Sequence, residues 1–154
     1  MATSDAPIQQ PANRRDPSST VELSESECLH LLDGADVGRL AVQLPEGGVD
    51  IFPVNFVIDE GRVLLRTAAG AKLESLMNEP IVAFEADSFD YYEHAAWSVV
   101  VKGHASLVVD HNELFRLLNV ELDTWHPERK PYFVRISPAS ITGRRFAIHR
   151  RVEP

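Results

Sequence analysis

A series of seven short apolar runs, joined mostly by links of hairpin length, constrains the fold of this chain more than any other feature. The runs are rich in Val, Ile and Phe, and Gly, Asp and Pro lie between them, which is typical of β-strands bounded by turns. They span residues 38–44, 49–58, 62–68, 81–87, 97–109, 132–137 and 140–148. Six or seven strands connected in this way predict a mainly β fold, an antiparallel barrel with few helices around it.

Three local signals refine this strand pattern. The sequence Asp59-Glu60-Gly61 predicts a tight hairpin between the second and third runs. Pro53 lies within the second run and predicts an edge or bulged position, because proline cannot donate a ladder hydrogen bond. Gly103 lies within the long fifth run and predicts a bulge or a sharp bend.

Three helices are predicted between the strands. Ser24 and Glu27 have the spacing of a capping box at the start of a first helix, which continues to the Asp33-Gly34 stop signal. A short amphipathic segment at residues 71–79 predicts a second helix. The segment at residues 110–122 predicts a third helix, with Asp110 and Glu113 at capping-box spacing.

The length of 154 residues fits a single domain. Residues 1–19 are polar, rich in Pro and Ser and without periodicity, so they are predicted to form a disordered leader before a domain at residues 20–154. No apolar run approaches about 18 residues, which argues against a membrane partner. The leader lacks the apolar core of a signal peptide, so a cytoplasmic location is expected.

Several kinds of site are disfavoured by the residue types present. The single cysteine, Cys28, excludes an internal disulfide framework, and its leucine neighbours predict a buried, unreactive thiol. The six histidines show no HxH or HExxH spacing, so no metal site is expected. No Ser-His-Asp or Cys-His arrangement is legible, and the catalytic residues stay unassigned.

Charge is unevenly distributed along the chain. The net charge of −8 argues against general nucleic-acid binding. Residues 129–154 nevertheless carry seven Arg or Lys and one acid, a surplus that leaves about −14 on the rest of the chain. Such a stretch can contact nucleic acid, or it can cross an acidic body or a bound anion. The alternation within residues 132–148 favours a folded strand pair over a tail.

Arg66, Thr67 and Lys72 stand where a predicted strand ends and a predicted helix begins. Arg66 offers a planar fork of donors, Lys72 a point charge, and Thr67 a hydroxyl. The small residues 68–71 let backbone amides approach closely, and a helix start directs free N–H groups to the same place. These features describe a phosphate cradle; the alternative is that Arg66 and Lys72 are surface charges, as most charged residues at element ends are.

Three segments together carry a resemblance to a known family. They are FPVNFVIDEGRVLLRTAAGAKLESLMNEPIVAFEAD, WSVVVKGHASLV and YFVRISPASITGRR. In order and spacing, over about residues 23–146, the chain resembles the pyridoxamine 5′-phosphate oxidase-like flavoproteins, the FMN-binding split β-barrels. The resemblance implies a six-stranded split barrel, a homodimer, and FMN in a groove at the dimer interface.

The resemblance also implies which residues contact the cofactor. The strand that contains residues 53–55 is expected along the flavin ring, partly through backbone groups. Arg66 and Thr67 align with the aromatic-Thr pair of the family, and Lys72 with one member of its phosphate-binding pair. Residues 97–98 match the segment where the oxidases proper place a glutamine near the flavin. The implied cofactor residues are Pro53, Val54, Asn55, Arg66, Thr67, Lys72, Trp97 and Ser98.

The sequence departs from the family at two places. The chain ends in ITGRRFAIHRRVEP, which does not match the substrate segment of the pyridoxamine 5′-phosphate oxidases, so oxidation of pyridoxamine phosphate is not expected. Ala71 stands where the other phosphate-binding residue is expected. Some members of the superfamily bind a deazaflavin in the same groove and others bind haem, and the sequence does not separate these cofactors.

The first prediction for function is therefore an FMN-dependent oxidoreductase that transfers a hydride between the flavin and an unknown small substrate. The alternatives are a deazaflavin-dependent reductase, a non-catalytic flavin-binding protein and, resting only on the basic stretch, a nucleic-acid-binding module. Two loops have open roles. Residues 88–97 are expected to pack on the body or line the pocket, and Trp125 in residues 125–131 is expected to pack on the body or close the groove of a partner copy.

Overall fold

The computed structural model describes residues 20–122 and 129–148. The predicted leader at residues 1–19 and Trp125 lie outside these residues. In chain order the elements are β1 (Val21–Leu23), α1 (Glu25–Asp33), β2 (Val37–Gln43), β3 (Val49–Asp59), β4 (Arg62–Thr67), α2 (Ala71–Asn78), β5 (Ile81–Asp90), β6 (Ala95–Leu107), α3 (His111–Leu117) and β7 (Tyr132–Ala147).

The strands form a closed antiparallel barrel. The sheet order is β1-β7-β4-β3-β2-β5-β6, and β6 also pairs with β7, which closes six strands and leaves β1 as an extra strand on the edge of β7. Each described pairing is antiparallel. The mainly β, six-stranded antiparallel barrel predicted from the sequence is confirmed. The sequence does not predict β1, because three residues are too few to show alternation.

The last two predicted strands are one strand in the structure, and the expectation of a strand pair there is wrong. β7 runs without interruption from Tyr132 to Ala147. A bulge makes this possible: Lys102 pairs with Ser140 and Gly103 with Pro138, so one residue of β7 is left without a partner. A Cβ at Gly103 would collide with the backbone carbonyl of Ser137, which explains the glycine. The bulge predicted at Gly103 is confirmed.

Alternating side chains fill the barrel, and α1 packs against it. In β2 the side chains of Leu40 and Val42 are buried while their neighbours face outward, as a period of two requires. α1 begins with the predicted capping box, in which the Ser24 hydroxyl accepts from the Glu27 amide and the Glu27 carboxylate accepts from the Ser24 amide. Cys28 of this helix is fully buried, and burial raises the pKa of its thiol, as expected of an unreactive cysteine.

α3 is shorter than predicted: it ends at Leu117, whereas the sequence predicts a helix to residue 122. Beyond Leu117 the backbone tightens: the amides of Asn119 and Val120 donate to carbonyls three residues earlier. Only half of the second capping box forms. Asp110 accepts from the Glu113 amide, but the Glu113 carboxylate binds Arg135 instead of the cap. Among the described residues, no helix is both long and apolar enough to cross a membrane.

Two contacts hold α3 on the outer face of the barrel. The first is an apolar cluster in which Leu117 packs with Leu64 and Phe133. The second is an ionic network that the sequence does not predict, formed by Asp59, Glu113, Arg116 and Arg135. Arg116 donates to both oxygens of Asp59 at 2.8 Å, and Arg135, only 6% exposed, lies 3.2 Å from the same carboxylate. The bidentate Arg116 bond lowers the pKa of Asp59.

Candidate functional site

The barrel opens where β3 and β4 separate. β3 pairs with β2 over residues 49–55 but with β4 only from Phe56 to Asp59. Residues 49–55 therefore have a strand partner on one side only, and the predicted edge position of Pro53 is confirmed. The opening between these residues and the end of β4 at Arg66 and Thr67, with the start of α2 beside it, is called the split below.

The β3 side of the split carries Pro53, Val54 and Asn55. Pro53 is exposed. The Val54 side chain is 6% exposed and belongs to the barrel core, so only its backbone can reach a ligand outside the barrel. Asn55 is half-buried, and its side-chain amide donates to the Asp36 carbonyl at 3.2 Å. These contacts fix the strand edge where the resemblance expects the flavin ring.

Arg66 lies on the β4 side and is held from two directions. Its Nε donates to the Lys130 carbonyl at 2.9 Å, and its guanidinium lies 5.1 Å from the centroid of the Phe133 ring. Both partners belong to the start of β7 and the residues just before it, and Phe133 is the strand partner of Arg66. The two Nη groups are the part of this fork that the two contacts do not use, and they can bind an anion bidentately.

Thr67, by contrast, is 3% exposed, and its hydroxyl donates to the Ala68 carbonyl at 3.2 Å. Its side chain is therefore less available to a ligand than the sequence suggests, and its role in the split is mainly to end β4. The residues that follow are a bend, and Gly70 then starts α2.

The start of α2 is open to a ligand. Gly70, the N-cap residue, has φ of 140°, a conformation that favours glycine, and it makes no side-chain capping bond. A Cβ at Gly70 would meet no described atom within 4 Å, so there is open space beside this residue. The ammonium of Lys72 lies 4.9 Å from the centroid of the Phe52 ring, which ties the helix start to β3. Glu74, also in the first turn, is exposed.

The structure thus gathers six of the eight predicted cofactor residues around the split and places the other two elsewhere. Trp97 and Ser98 lie on β6, which pairs with neither β3 nor β4. Trp97 is half-buried and lines a cavity of about 490 Å³ together with Asp36. Ser98 lines a separate cavity of about 380 Å³ with Arg144.

The aromatic residues just before β6 are exposed, whereas Trp97, at the end of the same segment, packs against the barrel core, so only part of residues 88–97 packs on the body. Tyr92, in the turn between β5 and β6, is 98% exposed. Phe89 and Tyr91 contact each other edge to face at 4.7 Å, but each is more than half exposed. The sequence also misses Phe52 and Phe133, the two rings against which the cations of the split rest. Their signal is weak, because a phenylalanine in a strand usually indicates the core.

Comparisons with known proteins agree with this architecture. The family model for pyridoxamine 5′-phosphate oxidase matches residues 24–145. An uncharacterized protein of Mycobacterium tuberculosis is 32% identical over 154 residues, with 95% of this chain and 98% of that protein covered. The crystal structure of a candidate pyridoxamine 5′-phosphate oxidase from Corynebacterium glutamicum is 40% identical with a TM-score of 0.78, and 89% of this chain and 99% of that chain are covered.

The structure of an FAD binding protein from Mycobacterium smegmatis is 38% identical with a TM-score of 0.70, and 82% of this chain and 98% of that chain are covered. Both solved structures are similar to this chain in sequence and in fold, over nearly their whole lengths. The match of the family model covers the barrel from α1 to Arg145 in β7. The chain therefore belongs to the pyridoxamine 5′-phosphate oxidase family.

Proposed function

We propose that the protein is a flavin-dependent oxidoreductase that holds the phosphate of FMN in the split. The observation that carries this proposal is that three kinds of donor flank the short segment between the end of β4 and the start of α2. They are the oriented guanidinium of Arg66, the ammonium of Lys72, and a helix start without a side-chain cap at Gly70. A guanidinium fork, an ammonium and first-turn amides are the donors that bind phosphate in proteins.

The flavin, when bound, supplies the hydride chemistry. The residues of this chain bind it and orient it. The one-sided strand edge at residues 49–55 offers backbone groups to the ring, and Asn55 is fixed by the Asp36 carbonyl. Because Val54 is buried in the core, any shift of this edge would disturb barrel packing, so the edge is a rigid support.

The proposal is tested by titrating the purified protein with FMN and with riboflavin, which lacks the phosphate. We expect a yellow protein, and FMN bound at least about tenfold more tightly than riboflavin, since one charge-assisted hydrogen bond contributes roughly 1.5–3 kcal/mol. Equal affinity for the two would contradict the phosphate role. If neither binds but a deazaflavin coenzyme does, the cofactor assignment is wrong. If the protein binds flavin tightly but does not oxidise a reduced nicotinamide with a dye as electron acceptor, the non-catalytic alternative is favoured.

FAD is a second candidate, favoured by the similarity to the FAD binding protein from Mycobacterium smegmatis. FMN and FAD share the riboflavin 5′-phosphate unit, so Arg66 and Lys72 could hold that phosphate in either cofactor. A competition titration separates them. FMN displaced by an equimolar amount of FAD would make FAD the cofactor, whereas FMN retained against a tenfold excess of FAD would support FMN.

We also propose that the protein works as a homodimer, in which the split of one copy faces β6 of the other. Trp97 and Ser98 lie on β6, which pairs with neither β3 nor β4, and a second copy can bring its own β6 to the split. The outer face of β3 beside the split is apolar and exposed: Val49 is 63% and Ile51 61% exposed. A self-complementary two-fold contact would cover this face.

The replacement Ile51→Asp is expected to convert a dimer into a monomer, because it places a charge in the centre of the proposed interface. Light scattering at micromolar concentration should give twice the chain mass of 17.2 kDa for the wild type and a single chain mass for the variant. Phe115→Asp is the matched control. Phe115 is 72% exposed but lies on α3, which contacts the opposite end of β3 through Asp59, and its replacement should leave the dimer intact. A monomeric wild type would contradict the proposal.

A further inference from the structure

Both cations of the split rest on phenylalanine rings. The guanidinium of Arg66 lies 5.1 Å from the centroid of Phe133, and the ammonium of Lys72 lies 4.9 Å from the centroid of Phe52. The two rings come from different strands, β7 and β3, on the two sides of the split. A cation over a ring face is attracted by the negative charge density of that face. The same kind of contact therefore fixes each of the two charges.

The contact at Arg66 restricts its orientation strongly. The Phe133 ring covers one side of the guanidinium, and the Lys130 carbonyl takes the Nε hydrogen at 2.9 Å. Phe133 itself is 4% exposed and packs in the apolar cluster under α3. A ring held in that way cannot move aside, so the guanidinium plane is fixed before any ligand arrives. The rotamer freedom that arginine usually loses on binding is then already restricted in the free protein.

The contact at Lys72 acts on a more flexible group. A lysine side chain is a flexible stem of four carbons, and its ammonium is a point charge without a preferred plane. Phe52 is half-buried, adjoins Pro53 and packs on the barrel core, so its ring has a defined position at the β3 side. It holds the Lys72 ammonium near the strand edge rather than in solvent.

We infer that Phe133 and Phe52 are positioning residues that set Arg66 and Lys72 to receive a flavin phosphate. This inference rests on the proposed function, because it assigns the rings a role toward the same phosphate. The rings do not contact the phosphate themselves. They act through the two cations, so their removal should change recognition of the phosphate and leave recognition of the flavin ring unchanged.

The test compares leucine variants at each ring, since leucine keeps apolar volume and removes the aromatic face. Phe133→Leu and Phe52→Leu are each expected to weaken FMN binding by about 3- to 30-fold and to leave riboflavin binding within about twofold. Phe84→Leu is the control, because Phe84 is fully buried in the barrel core and contacts neither cation by a ring face. Phe52→Tyr keeps the ring and should keep the wild-type ratio of FMN to riboflavin affinity.

The outcome distinguishes positioning from general damage. A loss of stability lowers both affinities together, whereas loss of positioning lowers that for FMN alone. An unchanged affinity ratio in folded Phe52→Leu and Phe133→Leu proteins would overturn the inference. If Phe133→Leu does not fold, Phe52→Leu decides, because its ring is only half-buried.

A measurement without flavin separates failure of this inference from failure of the proposed function. The Nε–H proton of Arg66 should show a ring-current shift in the NMR spectrum of the free protein, and Phe133→Leu should abolish it. If the wild type binds no flavin but still shows this shift, and the shift is lost in Phe133→Leu, the proposed function is wrong, but Phe133 does position Arg66. Absence of the shift in the wild type would overturn the positioning role.

Discussion

The double replacement Arg66→Gln with Lys72→Ala is expected to weaken FMN binding by at least about a hundredfold. Each cation should contribute a charge-assisted hydrogen bond worth roughly 1.5–3 kcal/mol, and 1.4 kcal/mol corresponds to a factor of ten. Lys72→Ala alone should therefore cost about ten- to a hundredfold. Because both cations bind one phosphate, their effects are coupled and the sum is not expected to be strictly additive.

Fluorescence-quenching titrations of FMN and riboflavin against the wild type, both single variants and the double variant measure this effect. Riboflavin affinity should be nearly the same for all four proteins. Arg62→Gln is the matched control, because it removes an arginine from the other end of β4, where Arg62 pairs with Glu60. Riboflavin weakened as much as FMN in the double variant would mean that the replacements damage the flavin-ring site, not a phosphate contact.

The barrel could be predicted from the sequence because the patterns that indicate its strands are local. In β2 the burial alternates residue by residue, and the apolar pattern records that alternation directly. The Ser24–Glu27 capping box and the Gly103 bulge are also encoded within a few residues. β7 was harder to predict, since Pro138 looks like a break. Only the partner strand, which offers Gly103 opposite it, shows that the ladder continues.

The site could be predicted from the sequence only in part, because its geometry depends on how the barrel closes. Arg66 and Lys72 adjoin the same loop in sequence, so their proximity follows from local spacing. The rings of Phe133 and Phe52 reach them through strand pairing and through the approach of α2 to β3. The position of Trp97, on a strand that pairs with neither β3 nor β4, likewise follows from the order of the strands in the barrel. Neither the contacts of the two rings with the cations nor the position of Trp97 can be predicted from spacing along the chain.

The replacement Asp59→Ala is expected to reduce the free energy of unfolding by about 1.5–3 kcal/mol at neutral pH. Asp59 joins Arg116 and Arg135, and Arg135 is almost fully buried. Without Asp59, buried Arg135 keeps, among the described residues, only its pairing with Glu113, so one of the two carboxylates that compensate its charge is lost. Arg135 already has one buried nitrogen, Nε, without a hydrogen-bond partner, so it has little capacity to compensate. Urea unfolding at a fixed protein concentration measures the loss.

The pH dependence of that loss identifies its cause. Arg116 lowers the pKa of Asp59 in the folded state, so the folded protein binds fewer protons there than the unfolded chain. The stabilisation is present above the unfolded value of about 4 and is lost as the pH falls through the folded pKa. The difference in free energy of unfolding between the wild type and Asp59→Ala should therefore become smaller as the pH falls from 5 to about 3. Glu60→Gln, which removes an exposed carboxylate beside Asp59, should cost only about 0–1 kcal/mol at any pH. A gap that stayed constant down to pH 3 would mean that Asp59 stabilises the fold by packing, and that its charge does not hold α3 against the barrel.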